Sequence, residues 1–282
     1  MKLKRLKLIL MTTAAIAVLL AVSIYLGYAS NSSDAVTLMV KKAAVIKIVG
    51  NHVVTAYDLE KAYEIGEKLD STTDKSQVLN QLIKNEQTKS IAENHKVRLG
   101  SDSVSDELAF LKNEQGNDYQ NFLNQYFDGD EGLFVKFVAG PLAWDAALKN
   151  HFNSDLGLNN ASMTKAQTAL DRIKAGESFE TVAKEVSNDQ VSGQLGGDIG
   201  FVAHGQVLPE LEAQYSISPV GRVIDHVLVS RQGYHLIYPV ETANQNGKKL
   251  WHIKQILVKT SGYDDWFSQE AKSVKIITIK NS

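Results

Sequence analysis

Cysteine is absent from the 282 residues. Disulfides, thiolate metal sites and a cysteine nucleophile are therefore excluded, and the chain is compatible with an oxidising compartment without being marked for one. An excess of positive charge is missing too. Lys and Arg number 30 against 32 Asp and Glu, a net charge of -2, so no basic footprint points to nucleic acid. The glycines of residues 193–200 are spaced G-x-x-G-G-x-x-G. That is neither G-x-G-x-x-G nor a phosphate-binding loop, and no Walker Lys-Ser/Thr follows, which sets a nucleotide site aside. What remains is 44% apolar and 22% charged, globular values that fit one or two domains beyond any tail.

The N-terminus carries the clearest physical signal. Lys2, Lys4, Arg5 and Lys7 precede an uncharged run from Leu8 to Ala29, and the next charge is Asp34. About 20 apolar residues span a bilayer as a helix, and positive charge before the run keeps its start cytoplasmic. The expectation is a single-pass membrane protein with its C-terminal bulk outside. A cleaved signal peptide, with Gly27 and Ala29 before the cut, is the alternative. The run exceeds the roughly 7–15 apolar residues of such a leader. Both readings export the remainder.

Beyond a polar tether, Ala44–Val49, Gly50-Asn51 and His52–Val54 read as a hairpin with a tight Gly-Asn turn. Thr55 opens a T-x-x-D capping box for a helix through Leu69. Asp74 can cap the next, where Val78, Leu79, Leu82, Ile83 and Ile91 form a stripe. Further helices are expected from Ser105, over Tyr119–Phe127 and over Glu131–Phe152, the last bent or broken near Gly140-Pro141. This half holds no cluster of catalytic groups, and its stripes are most simply a helical core. Its segments VIKIVGNHVVTAYDLEKA, VLNQLIKNEQ and VSDELAFLKNEQG nevertheless resemble, in that order, the N-terminal region of the SurA-type chaperones. The resemblance covers about residues 44–152 and implies a helical module that holds unfolded chains.

Residues 151–162, HFNSDLGLNNAS, have the composition of a linker or loop, and a domain boundary is expected there. A helix over Met163–Lys174 stopped by Gly176, a shorter one capped by Ser178, a Gly-rich turn and strands over Val223–Val229 and Tyr234–Val240 then describe an α+β unit. AGESFETVAKEVSND, GGDIGFVAHGQVLPELE and GYHLIYPVE, in this order and spacing, resemble the parvulin family of peptidyl-prolyl isomerases over about 163–241. Foldases of the PrsA type combine both kinds of region.

The expected layout is therefore α+β. An anchor or leader covers 1–30, a tether 31–43, a SurA-like helical region 44–152, a parvulin-like domain 163–241, and a strand-helix-strand extension 242–282. The resemblance implies isomerisation of X-Pro bonds in unfolded or nascent exported polypeptides, with no cofactor. By position in the family's motifs, Asp189 and His235 are active-site residues, Ser230 stands five residues before His235, and Val207 and Leu211 line a proline pocket otherwise built by Met and Phe. Asp189 can equally be a turn cap, His235 a satisfied core histidine, and Val207 and Leu211 core residues under either reading. Gly196, Gly197 and Asp198 are read as structural.

The family's first histidine, in a HILV strand before the first helix, has no counterpart in HFNSDLGLNN. WHIKQILVK (251–259) has strand character, and its QILVKT resembles that strand. The expectation is a circularly permuted sheet in which 251–259 lies antiparallel beside the His235 strand and Gln255 replaces the histidine. A register shift would offer His252 on the opposite face instead. The smaller pocket and the Gln imply reduced isomerase activity, or a binding module of the same fold.

Overall fold

The computed structural model describes residues 44–279. In chain order the elements are β1 (Val45–Val49), β2 (His52–Thr55), α1 (Ala56–Leu69), α2 (Lys75–Asn94), α3 (Ser103–Gln115), α4 (Tyr119–Tyr126), α5 (Glu131–Phe134) and α6 (Gly140–Ser154). Then follow α7 (Leu156–Lys174), α8 (Phe179–Val186), α9 (Gln190–Gln194), β3 (Asp198–Val202), α10 (Pro209–Tyr215), β4 (Leu228–Ser230), β5 (Gly233–Gln245), β6 (Lys248–Lys259), α11 (Tyr263–Ala271) and β7 (Ile276–Thr278). They fall into two compact units, residues 44–91 with 271–279, and residues 92–270.

In the first unit the expected hairpin forms, and the capping box at Thr55 closes in both directions: Thr55 Oγ1 accepts from the Asp58 amide, and Asp58 accepts from the Thr55 amide. Asp74 likewise accepts from the amides of Ser76 and Gln77 at the start of α2. The last strand, β7, pairs antiparallel with β1, giving the order β2-β1-β7.

The second unit is built on an antiparallel sheet of order β3-β6-β5-β4. Strand alternation divides its side chains between two cores. Tyr234, Leu236, Ile256 and Val258 pack against Ala166 and Leu170 of α7 and Phe179, Val182 and Ala183 of α8. Ile237 and Ile253 face the other way, into a cluster with Leu211 and Tyr215 of α10, Ile224 and Leu228. Ser178 caps α8 by accepting from the Thr181 amide.

Several expectations require correction. Among the described residues no helix is long and apolar enough to cross a membrane. The longest, α2 and α7, have 20 and 19 residues but carry charge along their length. The run 8–29, on which the transmembrane helix and the single-pass membrane location were expected, lies outside the described residues. Residues 151–162 are helical on either side of Asp155, not a loop. α6 runs to Ser154, Asp155 caps α7 by accepting from the Gly157 amide, and the chain kinks at Asn159. Two of their polar side chains, Asn153 and Asn159, are turned inward: both are buried, and Asn159 donates to the Phe152 carbonyl at 2.7 Å.

The expected break near Gly140-Pro141 is a π turn over Val135–Ala139 that runs straight into α6. A wider turn suits the residues ahead of a proline, which lacks an N–H and crowds the preceding turn. The strand expected over Val223–Val229 shrinks to Leu228–Ser230, because residues before it reach β5 only through separate bonds, Gly221 N to Pro239 O and Ile224 N to Ile237 O.

Gly197 sets the approach of the Gly-rich turn to β6. Its φ is +85°, and a Cβ there would lie 2.6 Å from the Gln255 carbonyl oxygen. Both the conformation and the contact demand glycine. Gly197→Ala is expected to destabilise the protein by at least about 2 kcal/mol, measured by urea unfolding. A smaller loss would mean that the turn does not need this approach.

Candidate functional site

β5 and β6 define the site by register. His235 pairs with Leu257 and Ile237 with Gln255. Directly paired residues point to one face, so His235 and Gln255 both face the α10 side. Beyond its ladder with β3, the edge of β6 is taken by residues 187–197. Asn188 N donates to Leu257 O at 2.6 Å, Leu257 N donates to Ser187 Oγ at 3.2 Å, and Gln255 N donates to Gly197 O at 2.8 Å.

That edge brings Asp189 to Gln255, whose Nε2 donates to Asp189 Oδ2 at 2.9 Å. Asp189 also caps α9, its Oδ1 accepting from the amides of Val191 and Ser192 at 3.1 and 3.3 Å and its Oδ2 from Ser192 Oγ at 2.7 Å. Asp189 is thus a turn cap that also meets Gln255. Partial burial pushes the Asp189 carboxyl up, but the hydrogen bonds from Ser192, Gln255 and Val191 outweigh it and hold the group below the usual carboxylate range.

Ser230 and His235 form the second pair. Ser230 Oγ lies 2.7 Å from His235 Nε2 and accepts from the Gln232 amide at 3.0 Å. The two residues are 0% and 1% exposed. Burial pushes the His235 imidazole down to about 4, opposed in part by Gln255 and by the negative charges of Glu210 and Asp189. The ring is neutral at neutral pH, and its buried Nδ1 makes no hydrogen bond of normal geometry. Leu211, 1% exposed, is fully enclosed in the α10-side core, and Val207 packs half-buried against it. His252, the alternative to Gln255, sits 2.8 Å from Asp198 and not at Asp189. Among the described residues no group of three or more His, Cys, Asp or Glu side chains is placed to hold a metal ion.

Sequence reasoning missed the supports of this site. Asn153, read as linker, is buried. Its Nδ2 donates to Ser230 O at 2.7 Å, its Oδ1 accepts from Thr260 Oγ1 at 2.6 Å, and its carbonyl accepts from Tyr234 Oη at 2.6 Å. Arg231, flanked by Glu107 and Glu210, was missed as well. A charged residue directly after Ser230 was the only signal, and it names no partner.

Residues 151–241 match the family model of the rotamases described as the PPIC-type PPIASE domain. The chain is 27% identical over 154 residues to Foldase protein PrsA 2 of Bacillus anthracis, covering 50% of this chain and 54% of that protein. It is 31% identical over 85 residues to Chaperone SurA of Alkalilimnicola ehrlichii, covering 30% of this chain and 19% of that protein. The crystal structure of the peptidylprolyl isomerase PrsA from Bacillus anthracis aligns at 20% identity over 69% of this chain and 85% of that one, with a TM-score of 0.22. The chain spans about half the length of the PrsA relative it matches. These matches link it to the foldase and peptidyl-prolyl isomerase superfamily through a PPIC-type domain.

The buried imidazole makes stability depend on pH. His235 titrates near 6.5 when unfolded and near 4 when folded, so between these values the unfolded chain binds more protons. Its contribution is full above about pH 6.5 and is lost as the pH falls toward 4, by roughly 3 kcal/mol. His151, pushed down first by burial, acts in the same direction. Asp189 and Glu210, both held low, lose their contributions only below about pH 4. Unfolding free energies measured from pH 7 to 4 are expected to decline in this way, and His235→Gln to remove most of the decline. An equal slope in that variant would mean that His235 is not a buried neutral ring.

Proposed function

We propose that this chain is a protein-folding factor that binds unfolded polypeptides and isomerises X-Pro bonds slowly at the Asp189–Gln255 and Ser230–His235 site. The observation that carries the reading is that residues from three separate segments come together: Gln255 bonds Asp189, Ser230 bonds His235, and Gln255 and Asp189 lie near enough to act on the His235 ring. We read the sheet as a permuted parvulin sheet. In support, β6 lies antiparallel between β3 and β5, with QILV beside the strand that carries His235.

The chemistry required is modest. Rotation about X-Pro is opposed by a barrier of about 18–20 kcal/mol from amide resonance, and takes tens to hundreds of seconds uncatalysed. A site lowers that barrier by enclosing the ring in an apolar pocket and by offering hydrogen bonds that favour the twisted amide. In this chain Leu211 and Val207 supply the apolar wall. Gln255 Nε2 and the Ser230 hydroxyl are donors, each oriented by a partner, Asp189 and the neutral His235. No nucleophile is needed.

The tight burial of Leu211 and His235, 1% exposed each, is the specific observation favouring the second reading, a binding module with little catalysis. A proline ring reaches these groups only if α10 moves. The experiment is isomerisation of a cis-proline peptide, and refolding of a client limited by proline, with the full chain. Acceleration is expected, with His235→Ala and Asp189→Ala each lowering it about tenfold or more while suppression of client aggregation persists. If the wild type is no faster than these variants, the catalytic reading fails and the binding module stands.

A further inference from the structure

The turn after Ser230 holds a charged network that joins three elements of the second unit. Arg231 lies between β4 and β5. Its Nη1 and Nη2 donate to Glu107 Oε1 and Oε2, on α3, at 2.9 and 2.6 Å. Its Nε and Nη2 donate to Glu210 Oε1 and Oε2, on α10, at 3.0 and 3.1 Å. Its backbone N–H donates to Glu210 Oε1 as well, at 3.0 Å. The side chains are 17% exposed for Arg231, 15% for Glu210 and 3% for Glu107.

Stability is a weak explanation for such a group. Two carboxylates share one cation, each ion has lost most of its water, and packed apolar residues often serve a core equally well. Geometry is a stronger one. A guanidinium bound by two carboxylates is fixed in plane and direction, which no single ammonium achieves. Here it fixes one side of a short turn whose other polar groups are also tied. Ser230 O accepts from Asn153 Nδ2, and the Gln232 amide donates to Ser230 Oγ. Between these anchors the Ser230 hydroxyl is aimed at His235 Nε2.

We propose that Glu107, Arg231 and Glu210 are positioning residues for the Ser230–His235 pair, so that α3 supplies part of the site's support from outside the PPIC-type segment. Glu107 precedes that segment, which begins at residue 151. A PPIC-type segment cut from this chain would therefore keep every candidate site residue from 189 to 235 and lose a carboxylate that holds the turn. The negative charge of Glu210 also reaches the His235 ring, so the network touches the site electrically as well as mechanically. The proposal rests on the functional reading of this site, but one of its two readouts does not.

The test uses the full chain with Glu107→Gln and Arg231→Lys. Glu107→Gln keeps the side-chain shape and leaves Arg231 paired with Glu210. Arg231→Lys keeps the charge but cannot bind both carboxylates in a fork. Glu185→Gln, at an exposed surface pair with Arg172, is the control. Thermal unfolding checks that each variant folds. NMR signals of the His235 ring nitrogens report its tautomer and the bond to Ser230, and isomerisation of a proline peptide reports turnover.

Both network variants are expected to shift the ring-nitrogen signals and to lower kcat/KM roughly ten- to a hundredfold, mainly through kcat, with the control unchanged. Folded variants with wild-type ring signals and turnover would overturn the proposal. If only one variant folds, that one decides. If neither folds, the network is a stability element and the proposal falls. Should the wild type itself not isomerise, the catalytic reading fails separately, and the ring signals alone uphold or overturn the positioning role.

Discussion

The antiparallel pairing of β5 with β6 is the constraint on which the rest of the second unit depends. It fixes two faces at once. One alternation sends Tyr234, Leu236, Ile256 and Val258 under α7 and α8, and the other sends His235, Ile237, Ile253 and Gln255 toward α10. A slip of one residue would exchange the two sets, burying Gln255 among α7 and α8 and turning apolar side chains toward the site. The edge of β6 then supplies the hydrogen bonds that lay residues 187–197 alongside, and Gly197 permits the close approach. Asp189 reaches Gln255 because of this chain of dependence, not through sequence proximity.

Around Ser230, His235 and Arg231 the candidate site buries groups that normally want water. His235 answers burial by remaining neutral. Arg231 answers it by ion pairing: burial alone would ease loss of its proton, but the hydrogen bonds it donates to Glu107 and Glu210 more than offset that and keep it cationic. These are the two established ways of placing a titratable group in a core. Together they yield a neutral donor–acceptor pair beside a fixed charge cluster. In the proposed reading, that arrangement suits preorganised hydrogen bonding to an amide. Leu211, part of the proposed apolar wall, is also core, so in that reading access and stability are coupled through α10.

Local signals in the sequence carried most of the elements. Caps at Thr55, Asp74 and Ser178, the helix stop at Gly176 and the strand pattern of 251–259 are written in adjacent residues and were found where expected. Composition misled where polar residues were turned inward. HFNSDLGLNNAS reads as solvent-facing, yet Asn153 and Asn159 spend their amides on backbone carbonyls in the core. The Val223–Val229 segment misled for the converse reason: it has strand character, but Gly221 and Ile224 bond β5 at separate points without a continuous ladder.

What the sequence by itself determined about the site was a set of candidates: through their resemblance to a family's motifs, the segments around GGDIG and GYHL and the QILV segment single out Asp189, Ser230, His235 and Gln255. The expectation that 251–259 lies antiparallel beside the His235 strand matches the pairing of β5 with β6, which the structure joins at Asn246-Gly247, both at positive φ. Only the tertiary structure decided how those residues are held. Burial sets the charge state of His235, and the partners of Arg231 lie 124 and 21 residues away. Desolvation and long-range ion pairing depend on what surrounds a side chain in space, and no local pattern of neighbours along the chain encodes it.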